Sequence, residues 1–160
     1  TPKPSSAASD VYKRQAHDCV VGNHTIFANN TQLAGHVLVD DWVILGGFTV
    51  VHQFCRIGAH AFTAMNTLLF GDLPPFVMAQ GQPARARSMN FEGLRRRGFS
   101  AERIQAVKAM HKALYRDGLS LEQSMDHIGQ LVAPYPEAHA DVRMMLDFLQ
   151  ACSPQRGIVR

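Results

Sequence analysis

From Val21 the chain keeps a six-residue beat. VGNHTI, FANNTQ, LAGHVL, VDDWVI, LGGFTV, VHQFCR and IGAHAF follow one another without a slip, each opening on an aliphatic or aromatic residue. The second position is mostly small (Gly22, Ala28, Ala34, Gly46, Gly58), and the fifth is small or β-branched (Thr25, Thr31, Val37, Val43, Thr49, Cys55, Ala61). A repeat this short leaves room for one brief strand and one corner per block, which is the signature of a left-handed parallel β-helix. First-position side chains are then expected inside, with a turn at the small second residue. The fifth residue should fill a narrow interior corner, and the third and fourth should face outward. Three blocks close one coil, so residues eighteen apart should stack at about 4.8 Å, the inter-strand spacing.

Indexing by eighteen converts the sequence into columns. His17, Gly35 and Gln53 share one, Asp18, His36 and Phe54 the next, and His52 lies beside Gln53. A histidine of ordinary pKa can take a proton from a hydroxyl at neutral pH when a partner fixes its tautomer. Asp18 can accept the other ring N–H of His17, and the Gly35 N–H, unshielded by any side chain, could stabilise an oxyanion. General base, orienting carboxylate and oxyanion donor are the parts that acyl transfer to a hydroxyl requires. His24, Trp42 and His60 form a second column, expected as a ring ladder packed against a neighbouring subunit or the helical region. In a third, Asn29, Gly47 and Met65 align, with Gly47 opening a groove that Met65 partly fills.

The rest of the chain bounds this picture. Residues 1–15 do not keep the beat: the frame puts Gln15 where an inward aliphatic belongs, so the leader reads as foreign to the fold, with the solenoid resuming at Ala16 and starting in mid-coil. Gly71-Asp72-Leu73-Pro74-Pro75 breaks the repeat, a strand pair follows through Gln80, and Gly81 and Pro83 close the solenoid, giving a β-helix over 16–87 and a small all-α domain over 88–160. Helices are expected from Ser100 to about Arg116, from a capping box at Ser120 and Gln123 to about Val132, and over roughly 138–151. No apolar run reaches the ~20 residues a membrane span needs. Three cysteines, an odd number, fit a reducing, cytoplasmic setting better than a disulfide framework. Arg85, Arg87, Arg95, Arg96 and Arg97 cluster, either for an anionic partner or as a solvated turn of helix.

The segments AHDCVVGN, LAGHVLVDD, GGFTVVHQFCRIGAH, DLPPFVMAQG and NFEGLRRRGFS resemble the UDP-N-acetylglucosamine 3-O-acyltransferases, over essentially 16–160. That resemblance implies a homotrimer with sites between subunits. It implies transfer of an (R)-3-hydroxyacyl group from acyl carrier protein to the 3-hydroxyl of UDP-N-acetylglucosamine, the first step of lipid A synthesis, with no metal or dissociable cofactor and no nucleic acid partner. His17 falls on the family's catalytic base, Asp18 on its orienting partner and Gly35 on its oxyanion glycine. His36, His52 and Gln53 fall on substrate-contacting positions, and Asn90, Glu92, Arg96 and Arg97 on positions near the nucleotide, where guanidinium forks suit a diphosphate. Met65 falls on the residue that ends the acyl groove, so a chain of about ten carbons is expected, each excluded CH₂ forfeiting about 0.8 kcal/mol of burial. Two other enzyme readings remain: a different hexapeptide-repeat acyltransferase, and a zinc enzyme resembling the gamma-class carbonic anhydrases, with His17, His36 and His52 as ligands. A non-catalytic scaffold is the third.

Overall fold

The computed structural model describes residues 14–160. Ten two-residue strands recur every six residues: β1 (Arg14–Gln15), β2 (Val20–Val21), β3 (Ile26–Phe27), β4 (Gln32–Leu33), β5 (Leu38–Val39), β6 (Ile44–Leu45), β7 (Val50–Val51), β8 (Arg56–Ile57), β9 (Phe62–Thr63) and β10 (Leu68–Leu69). The first seven each pair in parallel with the strand three further on, eighteen residues away, as Val20 with Leu38 and Leu38 with Arg56. Three sheets result, β1-β4-β7-β10, β2-β5-β8 and one containing β3-β6-β9, which wrap a parallel β-solenoid. Arg14 and Gln15 pair in register with Gln32 and Leu33, so the coiled path already includes the two residues ahead of Ala16. The remainder of the expected foreign leader, residues 1–13, lies outside the described residues.

Burial follows the hexad. Val39, Leu45, Val51, Ile57 and Leu69 at first positions and Val37, Val43, Thr49, Cys55 and Ala61 at fifth positions are all at most 3% exposed. The corner itself differs from the expectation. The chain turns at the third and fourth positions, and every fourth-position residue from Asp18 to Asn66 takes a left-handed backbone, φ +55° to +65°. The small second residue serves another purpose: a Cβ on Gly22 would lie 2.7 Å from the Asp40 carbonyl carbon, and one on Gly46 2.7 Å from the backbone of Ala64 and Met65, so the next coil leaves no room for a side chain. Asp, Asn and His tolerate left-handed φ, whereas Trp42, Phe48 and Phe54 do so at a cost. Part of that cost is offset by stacking and by the N–H bonds that fourth-position residues send to the previous coil: Trp42 N–H to the Asn23 carbonyl (2.9 Å), Phe54 N–H to that of Gly35 (3.0 Å).

The solenoid is closed by β11 (Val77–Gln80), parallel to β9 and antiparallel to β12 (Arg85–Met89). Asn90 then caps a short helix that the periodicity does not reveal, α1 (Phe91–Arg96), by accepting the Gly93 N–H at 3.2 Å. Three longer helices follow, α2 (Ala101–Tyr115), α3 (Leu121–Gly129) and α4 (His139–Gln150), the first two capped by Ser100 and by the expected Ser120–Gln123 box. Val107, Met110, Ala113 and Leu114 of α2 pack with Ile128, Met145, Phe148 and Leu149 in one core with the solenoid's end, and Ile104, on the same helix, is buried as well. The carboxy terminus is bolted to the solenoid. Buried Asp72 accepts from Arg156 Nε at 2.8 Å and from the Arg56 N–H at 2.9 Å, and backbone bonds join it to Gly157 and Val159.

Candidate active site

One corner of the solenoid gathers His17, Asp18, Gly35 and His36. His17 Nδ1 lies 2.9 Å from Asp18 Oδ2, an arrangement that leaves Nε2 to act on a substrate when Nδ1 carries the proton. That bond holds the Asp18 carboxyl below the usual carboxylate range, with the nearby His36 and His17 charges adding to it. His36 Nε2 stands 3.8 Å from the same Asp18 oxygen, and its ring meets His17 edge-on with centroids 5.0 Å apart. Phe54, one coil on, stacks beneath His36 at 4.8 Å and an interplanar angle of 3°. The column thus orients both histidines.

Gly35 is pressed against His17. A Cβ built there would sit 3.1 Å from Cε1 and 3.2 Å from Nε2 of His17, so a side chain at this position would press the exposed ring aside by a few tenths of an ångström. Its neighbours' backbone groups are taken, His36 N–H by the His17 carbonyl and the Gly35 carbonyl by Phe54 N–H, but among the described residues no acceptor takes the Gly35 N–H itself. A free donor next to a basic nitrogen is the geometry that binds a developing oxyanion. His52 donates from Nδ1 to the Gln53 carbonyl (3.2 Å) and its ring tilts against Phe70, 5.8 Å away.

The other site residues read from the sequence sit elsewhere. Asn90 and Arg97 meet the second column: Asn90 Nδ2 donates to the His60 carbonyl at 3.1 Å, and Arg97 Nη1 donates to His60 Nδ1 at 3.1 Å. The expected ladder is present. His24 stacks on Trp42 (4.1 Å), Trp42 on His60 (6.2 Å) and His60 on Phe76 (5.7 Å), with Phe99 of the helical region against the His60 edge. Arg97 lies over the Trp42 ring at 5.3 Å. Glu92 accepts from Arg96 Nε at 3.1 Å and faces Arg95 at 3.9 Å. A groove of about 430 Å³ opens beside this ladder, bordered by Gly22, Asp41, Trp42, His60 and Met144. A larger one, about 680 Å³, runs between Arg56 and α4, away from the His17 corner.

Gly47 and Met65 occupy the third corner. A Cβ on Gly47 would meet only the Asn29 carbonyl, at 3.4 Å, and Met65 is 67% exposed. Each corner of the triangle therefore carries one part of the expected site. The zinc set suggested by spacing is not the one assembled: among the described residues the group whose ligand atoms fall within 4.8 Å of one another is His17, Asp18 and His36, because His52 lies at the start of the turn rather than on it.

Residues 72–159 match a family described as UDP N-acetylglucosamine O-acyltransferase, domain 2. The acyl-(acyl-carrier-protein)–UDP-N-acetylglucosamine O-acyltransferase of Albidiferax ferrireducens is 70% identical over 149 residues, covering 93% of this chain and 56% of that protein. The protein of the same description from Thiobacillus denitrificans is 54% identical, over 93% of this chain and 55% of its own length. The solved UDP-N-acetylglucosamine O-acyltransferase of Moraxella catarrhalis superposes with a TM-score of 0.82 at 36% identity, over 90% of this chain and 54% of that one. That of Francisella novicida gives 0.82 at 33% identity, over 92% and 55%. The chain spans little more than half the length of each of these relatives.

Proposed function

The chain belongs to the UDP N-acetylglucosamine O-acyltransferase family, and from that premise we propose that the intact protein transfers an (R)-3-hydroxyacyl group from acyl carrier protein to the 3-hydroxyl of UDP-N-acetylglucosamine, the first step of lipid A synthesis. His17 is the general base. With Nδ1–H donated to Asp18, its Nε2 removes the proton of the sugar hydroxyl as that oxygen attacks the thioester carbonyl. Negative charge that gathers on the carbonyl oxygen is taken up by the free Gly35 N–H. Collapse of the tetrahedral intermediate breaks the carbon–sulfur bond, and the departing thiolate receives the proton held on His17. The acyl group ends as an ester, the carrier protein as a thiol, and the base is restored.

The observation that carries this reading is the placement of the His17 ring over Gly35, where a built Cβ would lie 3.2 Å from Nε2, together with the 2.9 Å bond from His17 Nδ1 to Asp18. His36, His52 and Gln53 line the acceptor's approach. Asn90, Glu92, Arg96 and Arg97 serve the nucleotide, and Gly47 and Met65 the acyl chain. Because these groups occupy separate corners of one solenoid, a complete site needs a second copy, which supports the homotrimer. Exposed apolar residues at the corners and faces, Val20 (50%), Ile26 (56%), Phe48 (55%), Phe54 (51%) and Phe70 (52%), support it as well. The basic cluster around Arg95 suits an acidic carrier protein. Among the described residues no helix is long and apolar enough to cross a membrane and no disulfide joins Cys19, Cys55 and Cys152, which supports a cytoplasmic enzyme. The test is transfer of a 3-hydroxyacyl group by the intact protein with and without His17→Ala, whose expected loss is about 10²- to 10⁴-fold; unchanged turnover refutes the assignment.

A further inference from the structure

Arg97 is held in an unusual way. One of its guanidinium nitrogens, Nη1, donates to the ring nitrogen Nδ1 of His60 at 3.1 Å, and the group lies 5.3 Å over the face of Trp42. Among the described residues no acceptor takes Nε or Nη2, so one edge of the guanidinium is anchored and the other is open. His60 is itself fixed on several sides: 8% exposed, stacked between Trp42 and Phe76, met edge-on by Phe99, and with its carbonyl accepting from Asn90 Nδ2. The same residue thus holds both Asn90 and Arg97, the two ends of the NFEGLRRR segment.

The chemistry of the anchor matters. An aspartate or glutamate at position 60 would hold the guanidinium as firmly but would cancel its charge. A neutral imidazole accepts the N–H bond and leaves the full positive charge, with a two-donor fork, for an incoming anion. A protonated imidazole could not accept the bond at all. Burial, reinforced by the Arg97 charge, pushes the His60 pKa down to about 4 and keeps it an acceptor.

We propose that His60 is a positioning residue that presents the charged guanidinium of Arg97, pre-oriented and unneutralised, to the diphosphate of the sugar-nucleotide substrate. The proposal rests on the reading above that Arg97 meets the nucleotide. The experiment compares His60→Phe, His60→Gln, His60→Glu and Arg97→Met in the intact enzyme, with KM measured separately for UDP-N-acetylglucosamine and for the acyl carrier protein thioester. His60→Phe keeps the ring stack and loses the acceptor; it should raise the sugar-nucleotide KM about tenfold, equivalent to ~1.4 kcal/mol, and leave the thioester KM and kcat within about twofold. His60→Gln, a neutral acceptor, should restore most of the affinity, and His60→Glu, an acceptor that cancels the charge, should not. In the Arg97→Met background His60→Phe should add nothing further. A normal sugar-nucleotide KM in His60→Phe beside a raised one in Arg97→Met overturns the positioning role while leaving the Arg97 reading intact. A normal KM in Arg97→Met overturns the reading and the proposal together. Should His60→Phe fail to fold, as judged by its thermal midpoint, the contrast between Gln and Glu carries the test, and equal KM values for those two overturn the proposal.

Discussion

The His17 ring occupies the space that any side chain on Gly35 would need: a methyl group there would lie 3.1 Å from Cε1 and 3.2 Å from Nε2. Gly35→Ala should therefore fold normally and displace the base. Misplacement of a reacting group by about 1 Å can cost roughly 10²-fold in rate; the shift asked of His17 is a few tenths of an ångström, so a smaller but measurable loss in kcat, with unchanged circular dichroism, is the expected result.

Removing the Asp18 charge tests the other side of the same ring. Asp18→Asn preserves a hydrogen-bonding partner for His17 Nδ1 but allows the wrong tautomer, since the amide can donate as well as accept. A fall in kcat with little change in either KM is expected, as for an interaction that strengthens only in the transition state. Steady-state kinetics with both substrates checks it.

His60 makes stability fall in acid. Its folded pKa, about 4, lies below the ordinary 6.5, because burial and the Arg97 and Arg103 charges outweigh the favourable influence of Asp141 and Asp41. A lowered histidine pKa means that the unfolded chain binds the extra proton first. Stability is whole above pH 6.5 and is lost as pH drops towards 4, by an amount on the order of 3 kcal/mol. Denaturant midpoints measured between pH 7 and pH 4 should fall more steeply for the native sequence than for His60→Gln.

At Met65 the side chain is 67% exposed and shares its corner with Gly47. Met65→Gly should admit a longer acyl chain. If four further methylenes gain burial at about 0.8 kcal/mol each, the kcat/KM ratio of long to short donors rises roughly 10²-fold, as competition between 3-hydroxyacyl donors of ten and fourteen carbons would show.

Asp72→Ala should unfold the carboxy-terminal anchor. It strips the buried partner from Arg156 and leaves the Arg56 N–H unpaired, a type of loss that costs about 3–5 kcal/mol. Urea denaturation should show it as a lower midpoint.

Much of this was legible before any coordinates, because a hexad repeat turns sequence distance into spatial distance. The pairing of Val20 with Leu38, the stack of His24, Trp42 and His60, and the meeting of His17 with Gly35 all follow from adding eighteen. The turn lies one to two residues beyond the small second position that suggests it, because the constraint on that residue is the backbone of the next coil. What periodicity could not show lies outside the repeat. Asp72 and Arg156 are 84 residues apart and their ion pair leaves no pattern. Helix α1 is shorter than two turns, and only Asn90 before it and Gly98 after it mark its ends. Nor does spacing tell that Asn90 and Arg97 converge on His60, because the hairpin that carries them there breaks the count.

The columns also fix how this solenoid can change length. With stacked neighbours eighteen residues apart, losing one residue within a coil would throw every later side chain out of line, so an insertion must bulge out at a corner or arrive as a whole coil. His17 and Met65, forty-eight positions apart, are thereby held about 13 Å apart along the axis, by coil pitch alone. Substitution can adjust that span by the size of a side chain. Adding or deleting a coil would change it in one step of about 4.8 Å, which would make the backbone the coarse scale of the proposed acyl ruler and residue 65 its fine one.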